Sequence, residues 1–295
     1  MGGVSLTKTL GRIEQALQAA LSRTDSASMP PKLGRALHHA VFPGGARVRP
    51  QLCLAVAAAC GDDAPGVSDA SAAAIELLHC ASLVHDDLPC FDDAATRRGR
   101  PSVHCAFGEA AAVLAGDALI VMAFETLARA AVAAPERLTH LTSVIGRAAG
   151  APSGLVAGQG WELEPDVALE SYHQAKTGAL FVAATTAGAI AAGAEARPWQ
   201  MLGAKLGAAY QVADDIRDVA AEPDEIGKPV LQDAQRMRPN AVTEFGLGGA
   251  LARLQQLLQE AVDSIPDCIG EQNLRDLVDL QAKRLVPKGL RESAA

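Results

Sequence analysis

Two clusters of aspartates, each following a long apolar segment, are the residues best suited to chemistry in this sequence. The first is Asp86-Asp87-Leu88-Pro89-Cys90-Phe91-Asp92, with Asp93 beside it, and the second is Asp214-Asp215-Ile216-Arg217-Asp218. Crowded carboxylates at the end of a buried helix repel one another and lose hydration, a cost that a bound cation relieves. Oxygen-only ligands favour a hard cation such as Mg²⁺ over zinc. Taken alone, the first cluster is equally well explained as a solvated loop around Pro89.

Helical spacing groups these residues further. His79 lies seven residues before Asp86, and Asp214 lies four before Asp218. At 3.6 residues per turn each of these pairs shares a helix face, whereas Asp215 would point about 100° away from Asp214. The sequence therefore predicts that two carboxylates of the second cluster can bind one ion together.

Cationic motifs accompany the aspartates. They are Arg97-Arg98-Gly99-Arg100, Lys176-Thr177-Gly178 and Gly44-Gly45-Ala46-Arg47-Val48-Arg49. A lysine in an alanine-rich helix usually needs an anion, and arginines in a glycine-containing turn before a helix can bind phosphate. Each signal is weak by itself, because a snorkelling lysine and a turn with surface arginines are the commoner interpretations.

Hydrophobic periodicity and the Gly and Pro breaks predict a single all-α domain that positions these motifs. The predicted helices are Leu10–Leu21, Lys32–Phe42, Gln51–Cys60, a long helix capped by Ser68 and ending near Asp86, Glu109–Ala134, Pro135–Trp161, Val167–Ala194, Pro198–Ala221, Ala241–Ser264 and Gln272–Leu285. Glu222–Asn240 is a predicted loop that could cover a site, and Lys288–Ala295 a disordered tail. We find no strand pattern of any length.

Composition excludes several classes of protein. The formal charge of −8 and the pI near 5.4 argue against a general nucleic-acid binder. The amino terminus turns polar too soon for a secretory signal, and each apolar segment long enough to span a membrane carries a charge or a Gly or Pro break. We therefore expect a cytoplasmic protein with no membrane span and no nucleic-acid partner.

Together, the motifs resemble the trans-polyprenyl synthetase family of isoprenyl diphosphate synthases, from about Ala36 to the last helices. The amino-acid sequence of the chain is most similar to that of bacterial members that make geranylgeranyl diphosphate in carotenoid and bacteriochlorophyll pathways. The resemblance implies an isoprenoid-synthase helical bundle around a deep central cavity. It implies one domain over residues 1–295, with a flexible tail from about residue 286.

The resemblance also implies an activity, a head-to-tail condensation of isopentenyl diphosphate with dimethylallyl, geranyl or farnesyl diphosphate. It implies Mg²⁺, with three ions in each active site, and a homodimer. The implied metal ligands are Asp86, Asp92, Asp214 and Asp218, and the implied catalytic residues are Asp86, Asp87, Asp92, Asp214 and Lys176. The implied ligands of the allylic diphosphate are Arg97, Lys176, Thr177, Gln211, Lys228 and Arg238, and those of isopentenyl diphosphate are Arg49, His79 and Arg98.

Two positions depart from the family's usual residues. Ala46 stands where relatives often have lysine, so we expect Arg47 or Arg49 to compensate for a missing phosphate contact. Arg238 also stands where many relatives have lysine, which keeps the charge but changes its geometry.

Ala81 carries the prediction of product length. It lies five residues before Asp86, about 7.5 Å along the helix. In the family, a bulky aromatic residue at this position stops growth at fifteen carbons. Alanine therefore predicts the twenty-carbon product, with the floor of the cavity formed by Leu78, or by Met122 and Phe124 of a facing helix.

Other interpretations remain open from the sequence. One is a farnesyl diphosphate synthase, and another is a catalytically inactive regulatory subunit, although loss of one aspartate cluster would mark such a subunit. A terpene cyclase needs no second substrate site, so Arg49, His79 and Arg98 argue against it. Zinc binding through His79, His85, His104 and nearby cysteines is poorly spaced for a tetrahedral site.

Overall fold

The protein is built almost entirely of helices, in a computed structural model that describes residues 6–42, 44–164, 169–220 and 240–285. The α-helices are α1 (Leu6–Leu21), α2 (Pro31–Val41), α3 (Val48–Ala59), α4 (Pro65–Asp86), α5 (Val103–Phe107), α6 (Glu109–Ala130), α7 (Pro135–Ala149), α8 (Leu155–Trp161), α9 (Leu169–His173), α10 (Ala179–Ala191), α11 (Gln200–Ala220), α12 (Ala241–Asp263) and α13 (Glu271–Leu285). A π-helical turn, Gln174–Gly178, joins α9 to α10. The predicted all-α fold is confirmed.

Helix α4 carries the first aspartate cluster at its carboxyl end. It begins at Pro65. Proline has no backbone N–H, and this is tolerated in the first turn because N–H groups there make no hydrogen bond within the helix. The prediction that Ser68 caps this helix was wrong. Ser68 lies inside the first turn, where its hydroxyl donates to Asp62 Oδ1 at 2.6 Å.

Two predicted helices are divided differently in the structure. Predicted helix 135–161 is two helices, α7 and α8, because Pro152 has no N–H to continue the helical hydrogen bonds. Predicted helix 167–194 contains the π-helical turn, which periodicity did not reveal. Such turns insert one residue into a helix and often occur at functional sites.

Helix α3 carries Arg49, and a small hairpin carries Arg97, Arg98 and Arg100. Helix α3 begins at Val48, three residues earlier than predicted, so Arg49 lies in its first turn. Strands β1 (Thr96–Arg97) and β2 (Arg100–Pro101) pair antiparallel. The prediction that the chain has no strand was wrong here, since two-residue strands leave no readable period. Arg98 and Gly99 form the turn, with φ of 55° and 73°, as tight hairpins require.

Helix α10 contacts both helices that carry the aspartate clusters. It packs against α3, α4, α7 and α11, while α4 packs along α6 and α11 along α12. A Cβ on Gly207 of α11 would lie 2.7 Å from Gly178 Cα, so a glycine lets α11 approach the π-helical turn this closely. Buried side chains from α1 to α13 form one continuous hydrophobic core.

Two helices of the described chain are long and apolar enough to cross a membrane by length and composition alone. They are α4, whose most apolar window is 83% buried, and Glu109–Ala133, whose window is 33% buried. Core helices of folded proteins pass the same test, so these features are weak evidence of a membrane span.

Candidate active site

The first two aspartates lie at the end of α4 with different partners. Asp86 accepts a hydrogen bond from Gln159 Nε2 at 2.8 Å, and Asp87 accepts one from Arg97 Nε at 3.0 Å. Burial raises the pKa of both carboxyls, against the opposing effects of Lys176 on Asp86 and Arg97 on Asp87. Arg97, predicted to bind substrate, is therefore paired with Asp87 in this structure, whereas Asp86 faces Lys176.

Lys176 lies between two acids. Its Nζ is 2.8 Å from Glu162 Oε1 and 3.6 Å from Asp86 Oδ2. Tyr172 Oη also donates to Glu162 Oε1, at 2.6 Å. The apolar surroundings of this lysine are thus interrupted by carboxylates from α4 and from the end of α8, as the sequence predicted for a cation in an alanine-rich helix.

Gln159 and Glu162 were missed by the sequence analysis. Gln159 donates to Asp86 and to the Ser82 carbonyl, so it fixes the orientation of the carboxylate. Gly158 precedes it, and a Cβ there would lie 2.4 Å from Lys176 Cα. In the sequence, the only sign of them is that Gln159 and Glu162 are polar residues in an otherwise apolar segment. No motif in this segment connects them with the aspartates.

The aspartates of the second cluster lie in different surroundings. Thr177 Oγ1 donates to Gln211 Oε1 at 2.8 Å, and Gln211 Nε2 donates to Asp215 Oδ1 at 2.9 Å. Asp215 Oδ2 also accepts from the backbone N–H of Ala241 at 2.8 Å, at the start of α12. Asp214 is exposed on the adjacent face, and Asp218 is buried. Asp215 therefore supports the fold, which agrees with its predicted divergence from Asp214.

The oxygen-only donor set of the two clusters fits Mg²⁺. Within the described ranges, no three His, Cys, Asp or Glu side chains lie close enough together to hold a metal by themselves. Mg²⁺ usually takes one or two carboxylates and completes its coordination with water and substrate phosphates. Asp86 is 7% exposed and its pKa is raised by burial, so a nearby cation would offset the cost of its charge.

Arg49, His79 and Arg98 lie near enough for their charges to affect one another, and we call this group of side chains the cationic pocket. Arg49 lies 4.7 Å above the ring of Phe181, and its buried Nε has no hydrogen-bond partner among the described residues. Burial lowers the pKa of Arg49, and Arg98 lowers it further. Burial and the charges of Arg49 and Arg98 also hold the pKa of His79 well below its ordinary value. His79 is therefore neutral at pH 7, and the positive charges of Arg49 and Arg98 would favour a bound anion.

The neutral state of His79 makes stability depend on pH. Below about pH 6.5, His79 is protonated in the unfolded chain but stays neutral in the folded protein. The free energy of unfolding therefore falls as the pH drops. We expect the contribution of His79 to this loss to approach about 1.4 kcal/mol per pH unit, and His79→Gln to lose stability less steeply than wild type; a smaller loss should remain in that variant because burial also lowers the pKa of His173, to about 4. Urea unfolding at pH 7.5, 6.5 and 5.5 measures it, with exposed His140→Gln as the control. A stability difference between wild type and His79→Gln that does not change with pH would contradict the assignment.

Arg47 does not compensate for Ala46. Its side chain turns away from the pocket into ion pairs with Glu14 and Glu76, so that part of the prediction was wrong. Arg49 alone of the two enters the pocket. The predicted substrate ligands Lys228 and Arg238, the predicted loop and the predicted tail lie outside the described residues.

The residues predicted to set product length are buried in the bundle. Ala81 and Leu78 are buried on α4, and Met122 and Phe124 are half-buried on α6, which packs along α4. A large solvent-open groove lies elsewhere, between α7, α10, α11 and α12, with Gln211 at its wall. Neither Ala81 nor Leu78 lines that groove, so the predicted elongation cavity beside α4 stays a prediction.

Comparisons with known proteins agree on one family. The family model described as Polyprenyl synthetase matches residues 30–274. The geranylgeranyl diphosphate synthase of Cereibacter sphaeroides is 56% identical over 94% of this chain and 96% of that protein. That of Rhodobacter capsulatus is 53% identical over 93% and 95%. A crystal structure of geranyltransferase from Helicobacter pylori, complexed with magnesium and isoprenyl diphosphate, has a TM-score of 0.81 at 30% identity and covers 96% of this chain and 99% of that one.

Proposed function

The chain belongs to the polyprenyl synthetase family, and on that premise we propose that it is a Mg²⁺-dependent prenyltransferase that makes geranylgeranyl diphosphate. It condenses isopentenyl diphosphate head to tail with allylic diphosphates. Two relatives at 53–56% identity are named for the twenty-carbon product. The farnesyl diphosphate alternative has less support for that reason.

One observation carries the proposal. Lys176 and Thr177, consecutive residues of the π-helical turn, are each linked to a different aspartate cluster, Lys176 directly and Thr177 through Gln211. Lys176 is 3.6 Å from Asp86 of the first, while Thr177 reaches Gln211, which in turn donates to Asp215 of the second. A cation and a hydroxyl thus lie between two acidic helix ends, the arrangement needed for a diphosphate held through metal ions.

We assign the binding residues as follows. Asp86, Asp92, Asp214 and Asp218 hold Mg²⁺, with three ions in each active site and Asp87 beside them. Lys176, Thr177, Gln211, Arg97, Lys228 and Arg238 hold the allylic diphosphate, and Arg49, His79 and Arg98 hold isopentenyl diphosphate. When bound, Mg²⁺ supplies positive charge that stabilises the departing diphosphate.

The reaction then needs no protein nucleophile. Lys176 donates hydrogen bonds to the leaving diphosphate oxygens as the allylic C–O bond breaks and its electron pair departs with the diphosphate. The double bond of isopentenyl diphosphate, positioned by Arg49 and Arg98, attacks the resulting allylic cation and forms the new C–C bond. A proton leaves the isopentenyl unit, the double bond is restored, and the departed diphosphate accepts the proton.

Glu162→Gln should lower kcat/KM for the allylic substrate about tenfold, because a charge-assisted hydrogen bond that orients Lys176 is weakened. Steady-state kinetics with farnesyl diphosphate varied at saturating isopentenyl diphosphate measures this. Exposed Glu164→Gln is the matched control and should behave as wild type. Equal kinetics for wild type and Glu162→Gln would remove Glu162 from the site.

The proposal also covers the domain organisation, the cellular location and the oligomeric state. We infer one domain over residues 1–295, a cytoplasmic location and a homodimer. Helix α6 supports the dimer, because it exposes the large apolar residues Val113, Leu114 and Val121, which a partner subunit would cover. Light scattering coupled to size exclusion tests the oligomeric state, and a monomer at micromolar concentration would contradict it.

Incubation with Mg²⁺, isopentenyl diphosphate and either dimethylallyl or farnesyl diphosphate tests the activity, with chromatography of the products. We expect a twenty-carbon diphosphate from both starters. A product that stops at fifteen carbons would support the farnesyl alternative. Absence of any condensation would favour the inactive regulatory subunit, and cyclisation of the allylic substrate alone would identify a terpene cyclase.

A further inference from the structure

Arg47 joins three helices next to the cationic pocket. Its Nε donates to Glu14 Oε1 of α1 at 2.8 Å, and its Nη1 donates to Glu76 Oε1 of α4 at 2.7 Å. Its Nη2 donates to the carbonyl of Val41, the last residue of α2, at 2.8 Å. One buried guanidinium therefore ties α1, α2 and α4 to the residue that precedes α3.

The backbone at Arg47 explains why this anchoring matters. Arg47 has φ 51° and ψ 38°, a left-handed conformation that is strained for a residue other than glycine. Surrounding contacts must therefore hold it in place. Because Arg49 follows only two residues later in the first turn of α3, the conformation of Arg47 sets the direction in which Arg49 enters the pocket.

The two glycines of the same loop fit between guanidinium groups. A Cβ on Gly44 would lie 2.1 Å from Arg47 Cζ, and a Cβ on Gly45 would lie 2.9 Å from Arg98 Cζ. The loop is thus packed against Arg47 at one glycine and against Arg98 at the next. Any movement of Arg47 would be transmitted through this loop towards Arg98 and Arg49.

The ion pair with Arg47 also matters for the electrostatics near Glu76. Its carboxylate is 2% exposed and lies one helical turn before His79 on α4, where an uncompensated negative charge would repel a diphosphate. Arg47 neutralises that charge. Among the described residues no carboxylate lies within ion-pair distance of Arg49 or Arg98, so these two arginines keep their charge for a ligand.

We propose that Arg47 and Glu76 are positioning residues for isopentenyl diphosphate, which hold the Gly44–Arg47 loop and the start of α3 so that Arg49 meets the diphosphate. They touch no substrate themselves. The inference rests on the proposed function, which assigns this ligand to Arg49, His79 and Arg98. Arg47, which follows Ala46, would thus position Arg49 and would not itself contact a phosphate.

The test compares two dissociation constants on the full-length protein by calorimetry. One is for isopentenyl diphosphate without an allylic substrate, and the other is for an unreactive allylic thiolodiphosphate with Mg²⁺. Arg47→Lys keeps a charge but cannot make all three contacts, so it should weaken isopentenyl diphosphate binding about tenfold and change the analogue less than about twofold. Arg137→Lys is the matched control, since Arg137 likewise joins Asp63 to the Ala191 carbonyl, and it should change neither constant.

A second variant keeps the test decisive if Arg47→Lys does not fold. Glu14 is 42% exposed, so Glu14→Gln leaves the buried Arg47–Glu76 pair intact, and we expect about threefold weaker binding of isopentenyl diphosphate alone. Wild-type affinity in folded Arg47→Lys, or in Glu14→Gln, overturns the proposal. An equal loss for both ligands also overturns it, because a merely structural role would affect both. Failure of the proposed function is distinguishable, since wild type itself would then bind no isopentenyl diphosphate.

Discussion

Asp86→Asn should reduce kcat by about three orders of magnitude, the largest effect expected of any single substitution in this protein. The carboxylate ends α4, accepts from Gln159 Nε2 and lies 3.6 Å from Lys176 Nζ, so it is held in one orientation beside the proposed diphosphate site. Asparagine keeps the shape and one acceptor but removes the charge that a cation would bind. A thousandfold loss corresponds to about 4 kcal/mol of transition-state stabilisation.

Stability separates this loss from misfolding. Burial raises the pKa of Asp86, so its charge is disfavoured in the folded state, and a neutral side chain should leave the melting temperature at or above that of wild type. Asp93→Asn is the matched control, because Asp93 belongs to the same segment but is exposed, and it should keep nearly full activity. The assignment fails if Asp86→Asn retains more than about a tenth of the wild-type kcat.

Ala81→Tyr should shift the main product from twenty to fifteen carbons. Ala81 is 1% exposed on α4, five residues before Asp86, so a tyrosine ring would occupy space about 7.5 Å from the site of ionisation. A growing chain would then meet the ring after fewer condensations. Chromatography of the products from dimethylallyl and isopentenyl diphosphates gives the ratio of chain lengths, which does not depend on the amount of folded enzyme.

Two results would decide this second prediction. Ala81→Ser changes the volume very little and should still make the twenty-carbon product. An unchanged product from Ala81→Tyr would show that residue 81 does not face the elongating chain. Overpacking by the larger ring should cost about 1–3 kcal/mol of stability, which thermal unfolding would show.

The contacts of Gln159 with Asp86 and of Glu162 with Lys176 could not be predicted from the sequence. Both residues follow Pro152, which divides a predicted helix, and they reach Asp86 and Lys176 from more than ten residues away. No periodicity or motif within that segment connects them with a carboxylate on α4. Their role depends on how α8 packs against the π-helical turn.

Local chemistry was enough to predict the fold class and to select the candidate site residues. Apolar periodicity with Gly and Pro breaks predicted helices, because those signals act within one or two turns of the chain. The aspartate clusters and the Lys176-Thr177 pair were recognisable because their charges are unusual in an apolar helix.

Only the tertiary structure showed which partner each side chain of neighbouring residues contacts. Arg47 and Arg49 are two residues apart, yet one is taken into ion pairs with Glu14 and Glu76 while the other enters a pocket without a carboxylate partner among the described residues. Asp86 faces Lys176, whereas Asp87 pairs with Arg97. The sequence cannot separate such neighbours, because the partner that selects each role lies on a different helix and is brought near only when the bundle packs.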